Sequence, residues 1–330
     1  MCRIPDLVKD SKIETQFHSG YTRHIYSEAD PTSGQRVIER KEYWKREKLI
    51  GRGGFGSVWL EKCVKGKHEA ELRAVKQLQK PDKTKEFFRE LEAMAKFSHP
   101  KYVRCFVRSF GWYDSEDELY IAMEYFPLGD LDSYLRAAPP LPEPDVQQVT
   151  FQILEGLHAM HENGFVHRDL KPGNILIHSH PPQEWWVKLA DFGISKRTED
   201  HTNSPSTRKG TDGFVPPEWH GFSPNGENIS GTSSPAADMW ALGEIAFRLF
   251  TKGSTFKSSY DLFQFTEGRL PFPLASLEAY KSSLEAMDFV QACMRASPED
   301  RLDAQQAVKH EWMKIEPRGI PRPLSAVSLE

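Results

Sequence analysis

The sequence predicts an α+β chain whose strands come first and whose helices follow. Between Tyr43 and Phe126, strand-like runs dominate, broken by a glycine-rich turn and one helical segment. From Pro142 onward, apolar residues recur at helical spacing. A length of 330 residues suits one large or two smaller lobes, with a sizeable buried core.

Residues 1–43 are polar, with Gly20, Pro31, Ser33 and Gly34 and no sustained period of 2 or 3.6. They read as a flank that is either loosely ordered or docks as an extension. Trp44-Lys45-Arg46-Glu47-Lys48-Leu49-Ile50 then leads into Gly51-Arg52-Gly53-Gly54-Phe55-Gly56-Ser57-Val58-Trp59-Leu60, two strand-like runs joined by a glycine turn. Without side chains, the backbone N–H groups of such a turn can approach phosphate oxygens, although a plain glycine-rich hairpin has the same composition. Glu71 to Lys76 is the next strand, and Lys76 alternates with core-facing residues, a costly place for a charge unless it is paired.

Glu86 to Phe97 carries Phe87, Leu91, Met94 and Ala95 at helical spacing, with Glu90 on or beside the apolar stripe. Glu118 to Phe126 is a strand that breaks sharply at Pro127-Leu128-Gly129-Asp130. The next helix has a one-face stripe of Val146, Val149, Ile153, Leu157 and Met160, started after Pro142 and Pro144 and stopped at Asn163-Gly164.

That helix feeds Val166-His167-Arg168-Asp169-Leu170-Lys171-Pro172-Gly173-Asn174-Ile175-Leu176-Ile177, followed at a short distance by Leu189-Ala190-Asp191-Phe192-Gly193. Here acidic and amide groups and a lysine lie on loops between apolar segments, the composition of a metal-phosphate site. Asp191 and Asn174 supply hard oxygen ligands of the kind Mg²⁺ prefers. Asp169 is left to orient a hydroxyl and accept its proton, and Lys171 to put positive charge on a phosphoryl group. The intervening His178 to Trp186 reads as a surface hairpin with packed tryptophans, not as a metal site. Later, the helix Ala236 to Thr251 is apolar on most faces, and Asp238 inside it is expensive unless it bonds backbone. Small helices run through Trp312, and Glu316 to Glu330 is a Pro-containing tail.

The His167 to Asn174 octet and the Asp191-Phe192-Gly193 triplet resemble the catalytic loop and metal-binding motif of eukaryotic protein kinases, of serine/threonine type. The resemblance covers Tyr43 to Met313, with motifs in the family's order and at compatible spacing. It implies a two-lobed fold: an antiparallel five-stranded sheet plus one helix over residues 44–126, and a mainly helical lobe over 127–313. Residues 1–43 and 314–330 flank these lobes.

The same resemblance implies site roles. Gly51, Gly53, Gly54, Phe55 and Gly56 would cover the ATP phosphates, a strand–glycine–strand order unlike the dinucleotide fold, whose glycines open a helix. Lys76 would contact the α- and β-phosphates, braced by Glu90. Backbone groups of Glu124 and Phe126 would bond adenine at the hinge between the lobes, with Met123 limiting the pocket behind it and Asp130 near the ribose. Ile50, Val58, Ala74 and Leu176 would sandwich the base. Asn174 and Asp191 would hold Mg²⁺, Asp169 would take the hydroxyl proton, and Lys171 would stabilise charge. Asp238 would bond the backbone of the catalytic loop, and Glu218 would pair with Arg301.

Arg168 beside Asp169 implies that a phosphate orders the segment Asp191 to Glu218, with Thr202, Ser204, Ser206 or Thr207 as its site and an upstream kinase as its donor. Gly210 to Glu218 resembles the family's substrate-docking segment, with Pro216 where alanine is usual. Lys171 and Thr211 point to Ser/Thr acceptors in protein substrates, and Gly173 gives no sign of a strong preference for arginine-rich peptides. A pseudokinase scaffold that binds ATP and partners would lack one of these polar groups, and none is missing. A small-molecule kinase would lack the docking segment.

Composition bounds the partners. A formal charge of -4 with 27% charged residues shows no basic excess for nucleic acid. Cys2, Cys63, Cys105 and Cys293 are scattered without zinc spacing, which points to a reducing compartment. The N-terminus lacks a signal-peptide core, and no apolar run reaches membrane-span length, so an intracellular location, cytoplasmic or nuclear, is expected.

Overall fold

The structure, a computed structural model, describes residues 6–29, 37–53, 56–80, 85–191, 213–223 and 234–314, the side chains of 28, 29 and 85–90 excepted. These residues fall into two compact units. The first holds those up to Val103 together with Val107 to Tyr125, and the second holds the rest.

The first unit is built on a seven-stranded antiparallel sheet of β1 (Glu14–His18), β2 (Tyr21–Ala29), β3 (Val37–Gly53), β4 (Gly56–Lys65), β5 (Leu72–Gln79), β6 (Ser109–Asp114) and β7 (Glu118–Met123). Their order is β1-β2-β3-β4-β5-β7-β6. Two helices accompany it, α1 (Asp6–Asp10) and α2 (Lys85–Phe97).

The five-stranded expectation is corrected here. β3 to β7 make up those five strands, and the polar flank adds β1 and β2 as a hairpin turned at Ser19-Gly20, with His18 opposite Tyr21. Of the two readings left open for the flank, residues 6–29 follow the docked one. The addition also closes the sheet. Ile13 N donates to Trp112 O at 2.7 Å and Trp112 N to Ser11 O at 3.0 Å, so the chain entering β1 pairs with the far edge strand β6. That bridge pairs part of the β6 edge, which an open sheet would leave bare.

Strand alternation then gives the sheet two different faces. Leu78, Trp112, Leu119 and Ile121 face α1 and α2 and pack with Val8 and Leu91. Val75, Tyr113, Tyr120 and Ala122 point the other way, into the curled interior with Ile13 and Tyr26. That interior also takes charge. Arg73 is 1% exposed and donates to Glu61 Oε2 from Nε at 3.1 Å and from Nη2 at 2.7 Å. Arg73 Nη2 also lies 2.7 Å from Nε2 of the fully buried His24, and its guanidinium stacks 3.9 Å over the Trp44 ring.

The second unit contains α3 (Leu131–Ala137), α4 (Glu143–Glu162), β8 (Ile175–Ser179), β9 (Trp186–Leu189), α5 (Pro235–Thr251), α6 (Ser259–Thr266), α7 (Leu274–Ala279), α8 (Leu284–Cys293) and α9 (Ala304–Val308). Every member of the α4 stripe from Val146 to Met160 is buried, and the helix packs on α5, α9 and β9. β8 and β9 form the hairpin read from the sequence. Gln152 of α4 holds its far end, donating to Trp185 O at 2.7 Å and accepting from Val187 N at 3.0 Å. Among the described residues no helix is long and apolar enough to cross a membrane.

Candidate active site

The loop between α4 and β8 has few ways to fold once its ends are fixed. Asp238, 1% exposed in the first turn of α5, accepts from His167 N and Arg168 N at 2.8 Å each and from His161 Nε2 at 2.9 Å. The charged group that looked expensive in an apolar helix is thus answered by three donors, two of them the backbone of the loop. Arg168 takes up φ 69° at this point, a left-handed conformation that a non-glycine residue keeps only where its surroundings enforce it. Buried His167 donates from Nε2 to Ala190 O at 3.1 Å, tying the loop to the strand end beyond β9.

This framework brings the predicted catalytic groups together. Lys171 Nζ lies 2.9 Å from Asp169 Oδ2, with both side chains partly exposed. Asn174 Nδ2 donates to Asp169 O at 2.7 Å and more weakly to Asp169 Oδ2 at 3.3 Å. With its NH₂ turned toward Asp169, the Asn174 amide presents its oxygen on the other side, as a cation ligand requires. Ala190 N donates to Asn174 O at 2.9 Å, which sets Asp191 one residue from that contact, with φ 58°. Two hard oxygen donors on adjoining main chain are a donor set that fits Mg²⁺.

The expected pairing of Glu218 with Arg301 is formed. Arg301 and Glu218 form a buried two-pronged pair, Nη1 to Oε1 at 2.8 Å and Nη2 to Oε2 at 2.7 Å, and Arg301 further donates to Arg295 O, Ala236 O and Ala296 O. Asp130 caps α3, accepting from Ser133 N at 2.7 Å, so its carboxylate already has a structural task beside the ribose role expected of it. Leu176 lies opposite Asp130 in a short bridge.

In the first unit, Lys76 stands half-buried in β5, opposite Val58 on β4 and Ile121 on β7. Ala74 pairs with Met123 across the same strands. Gly51 is opposite Val58, and Gly53 is opposite Gly56, where the glycine turn begins and ends. Gly56 has no substitute at this point, because a Cβ would sit 2.1 Å from Gln77 O. Ile50 is exposed, at 37%. Glu124 N donates to Arg108 O at 2.9 Å, so of its backbone groups the carbonyl is the one suited to adenine. Gly54, Phe55, Phe192, Gly193, Gly210 to Asp212 and the four candidate phosphosites lie outside the described residues, as does the side chain of Glu90, although its backbone is in α2.

Two anchors were not read from the sequence. His161 shares Asp238 with the loop, and His167 fixes Ala190. Their signal is position: a histidine in the last turn of the helix that feeds the loop, and another directly before the arginine and aspartate.

Residues 44–313 match the protein kinase domain family, and the chain belongs to that family. It is 30% identical to the serine/threonine-protein kinase RAD53 of Saccharomyces cerevisiae over 84% of this chain and 34% of that protein. It is 30% identical to the serine/threonine-protein kinase cds1 of Schizosaccharomyces pombe over 69% of this chain and 48% of the relative. For the calcium/calmodulin-dependent protein kinase type 1 of Caenorhabditis elegans the figures are 32%, 83% and 75%. The chain thus spans only a third to a half of the length of RAD53 and cds1. The crystal structure of Rad53 1–466 in complex with AMP-PNP superposes with a TM-score of 0.65 at 29% identity, covering 82% of this chain and 65% of that one. The fold is the two-lobed α+β kinase fold, and the family's cofactors are ATP and Mg²⁺.

Proposed function

We propose that the chain is a serine/threonine protein kinase, transferring the γ-phosphoryl of Mg-ATP to hydroxyls of protein substrates, with residues 44–126 and 127–313 as its lobes. The observation that carries this reading is the Asp169, Lys171 and Asn174 cluster, held by a loop whose backbone is clamped by Asp238. Asp169 orients the acceptor hydroxyl and takes its proton as the new O–P bond forms and the bond to the β-phosphate oxygen breaks. Lys171, beside that carboxylate, stabilises charge on the moving phosphoryl. Asn174 and Asp191 would hold Mg²⁺, which neutralises phosphate oxygens when bound. Lys76 of β5, with Glu90 of α2 as its partner, positions the α- and β-phosphates. Backbone groups of Glu124 and Phe126 take the adenine, with Met123, Ile50, Val58, Ala74 and Leu176 against the base and Gly51 to Gly56 over the phosphates.

Arg168 Nε is buried without a hydrogen-bond partner among the described residues, which supports a phosphate on Thr202, Ser204, Ser206 or Thr207 as its counter-charge, placed there by an upstream kinase or by the chain itself.

The deciding measurement is phosphate transfer from Mg-ATP to the chain itself and to generic Ser/Thr substrates, before and after treatment with an activating kinase. Asp169→Ala is expected to lower turnover roughly 10²–10⁴-fold with ATP binding kept. Equal rates for the two proteins would remove Asp169 from the chemistry, and binding without transfer in both would leave a scaffold. Alanine at all four phosphosites is expected to abolish activation, and unchanged turnover would reject that control.

A further inference from the structure

The segment that closes the sheet reaches past it to α2. α1 carries one fully buried side chain, Val8. Val8 clusters with Leu78 of β5, Leu91 of α2, Trp112 of β6, and Leu119 and Ile121 of β7, and Met94 and Met123 pack against the same group. The main chain at Val8 is fixed as firmly as the side chain. The Trp112 indole Nε1 donates to Val8 O at 2.9 Å, and the two backbone bonds between Ser11, Ile13 and Trp112 follow a few residues on. Lys12 Nζ adds an ion pair to Asp114 at 2.8 Å.

β6 is shaped for this contact. Gly111 has φ 121° and sits at a register irregularity, and a Cβ there would meet Ser11 O at 2.5 Å and Ile13 Cγ1 at 2.8 Å. Only glycine admits the segment so closely.

What Val8 touches bears on the candidate site. Leu91 follows Glu90 directly in α2, Leu78 is on the same face of β5 as Lys76, and Met123 is itself a candidate site residue. One residue along a helix is a rotation of about 100°, so a contact that fixes the azimuth of Leu91 also fixes that of residue 90. A helix free to roll would turn residue 90 with it.

We propose that residues 6–13 are an intramolecular brace for α2, and that Val8 is a positioning residue for the Lys76–Glu90 pair. Val8 fills the space against Leu91 and Met94, Trp112 holds Val8, and Gly111 lets the chain lie down. The link to catalysis rests on the roles given above to Lys76 and Glu90. The bracing itself does not.

The test uses the full chain with Val8→Ala and, separately, Trp112→Phe, which keeps an aromatic ring and deletes the donor to Val8 O. Amide hydrogen exchange is read along Lys85–Phe97 and, as an internal reference, along α4. Mg-ATP affinity is read with and without a Lys76→Ala background. Both variants are expected to speed exchange in α2 about tenfold while α4 is unchanged. Val8→Ala is expected to weaken Mg-ATP binding several-fold when Lys76 is present and not at all when it is absent. Unchanged α2 exchange in both variants would overturn the brace. Equal losses of affinity in the two backgrounds would overturn the positioning role. Faster α2 exchange in a chain that neither binds ATP nor transfers phosphate would keep the brace and reject the assigned function.

Discussion

The interior of the curled sheet and the loop clamped by Asp238 both bury charge, but they answer it differently. Asp238 is met by main-chain N–H groups of His167 and Arg168, so its charge sets the conformation of one short loop. Arg73 is met by side chains from other strands, Glu61 of β4 and His24 of β2, so its charge joins segments far apart in sequence. The first arrangement shapes a site, and the second holds an added hairpin to the sheet. A buried charge therefore does not reveal its purpose until its partners are known.

If the second arrangement is a tie between strands, breaking it should produce the largest stability loss. Arg73→Met leaves Glu61, 2% exposed, without its cation, and leaves the His24 acceptor unmet. The expected cost is about 3–5 kcal/mol in chemical denaturation, and adding Glu61→Leu should recover much of it, because an apolar pair of similar volume avoids burying charge. A double variant no better than Arg73→Met would mean the pair is not the unit that matters.

The loop clamp should show the opposite balance. Asp238→Asn keeps the shape but turns an NH₂ toward one of the N–H donors it formerly accepted. Turnover is expected to fall about a hundredfold, since the displaced group is the backbone that carries Asp169. The loss of stability should be smaller than for Arg73→Met. Turnover near wild type would show that the His167–Ala190 bond and the neighbouring strands suffice to hold the loop.

The same contrast explains what was legible in the sequence. Phosphoryl chemistry needs particular residue types at short spacing, so the stretch from His167 to Asp191 could be read directly, and Asp238 could be flagged by its cost in an apolar helix. Glu218 and Arg301 followed from the same family pattern and form the expected buried pair. Closure of the sheet could not be read this way. Its interior takes His24, Glu42, Glu61 and Arg73, all buried, and such residues in alternation with others look like a solvated strand face. The buried polar face therefore hid the two-residue period of β2 and β4. Ser19-Gly20 between Phe17 and Tyr21 was the local clue to a hairpin, but a turn signal does not say which sheet it joins. Val8 in its short helix gave no periodic signal, because its importance comes from Leu91, Trp112 and Ile121, all distant in sequence.

The smallest predicted effect isolates a single proton within the tie. Arg73 can only donate, so His24 Nε2 accepts from it and the ring proton lies on Nδ1. Nδ1 donates to Thr15 Oγ1 at 2.7 Å, and the Thr15 hydroxyl in turn donates to Ile13 O at 3.1 Å. A second proton on His24 has no acceptor and faces a guanidinium. Burial, and then the charge of Arg73, push its pKa down to about 2 from the ordinary 6.5. Between those values the unfolded chain binds a proton that the folded chain refuses. The contribution of His24 to stability is therefore complete above pH 6.5 and is lost as the pH falls, by up to about 1.4 kcal/mol per unit, or about 2 kcal/mol at pH 5. His24→Gln keeps an acceptor for Arg73 and a donor for Thr15 but does not titrate. Its stability between pH 7.5 and 5 should decline less than that of the wild type by about this amount in urea denaturation. Parallel curves would mean that His24 takes up its proton without opening the interior, and that Arg73 is held by Glu61 alone.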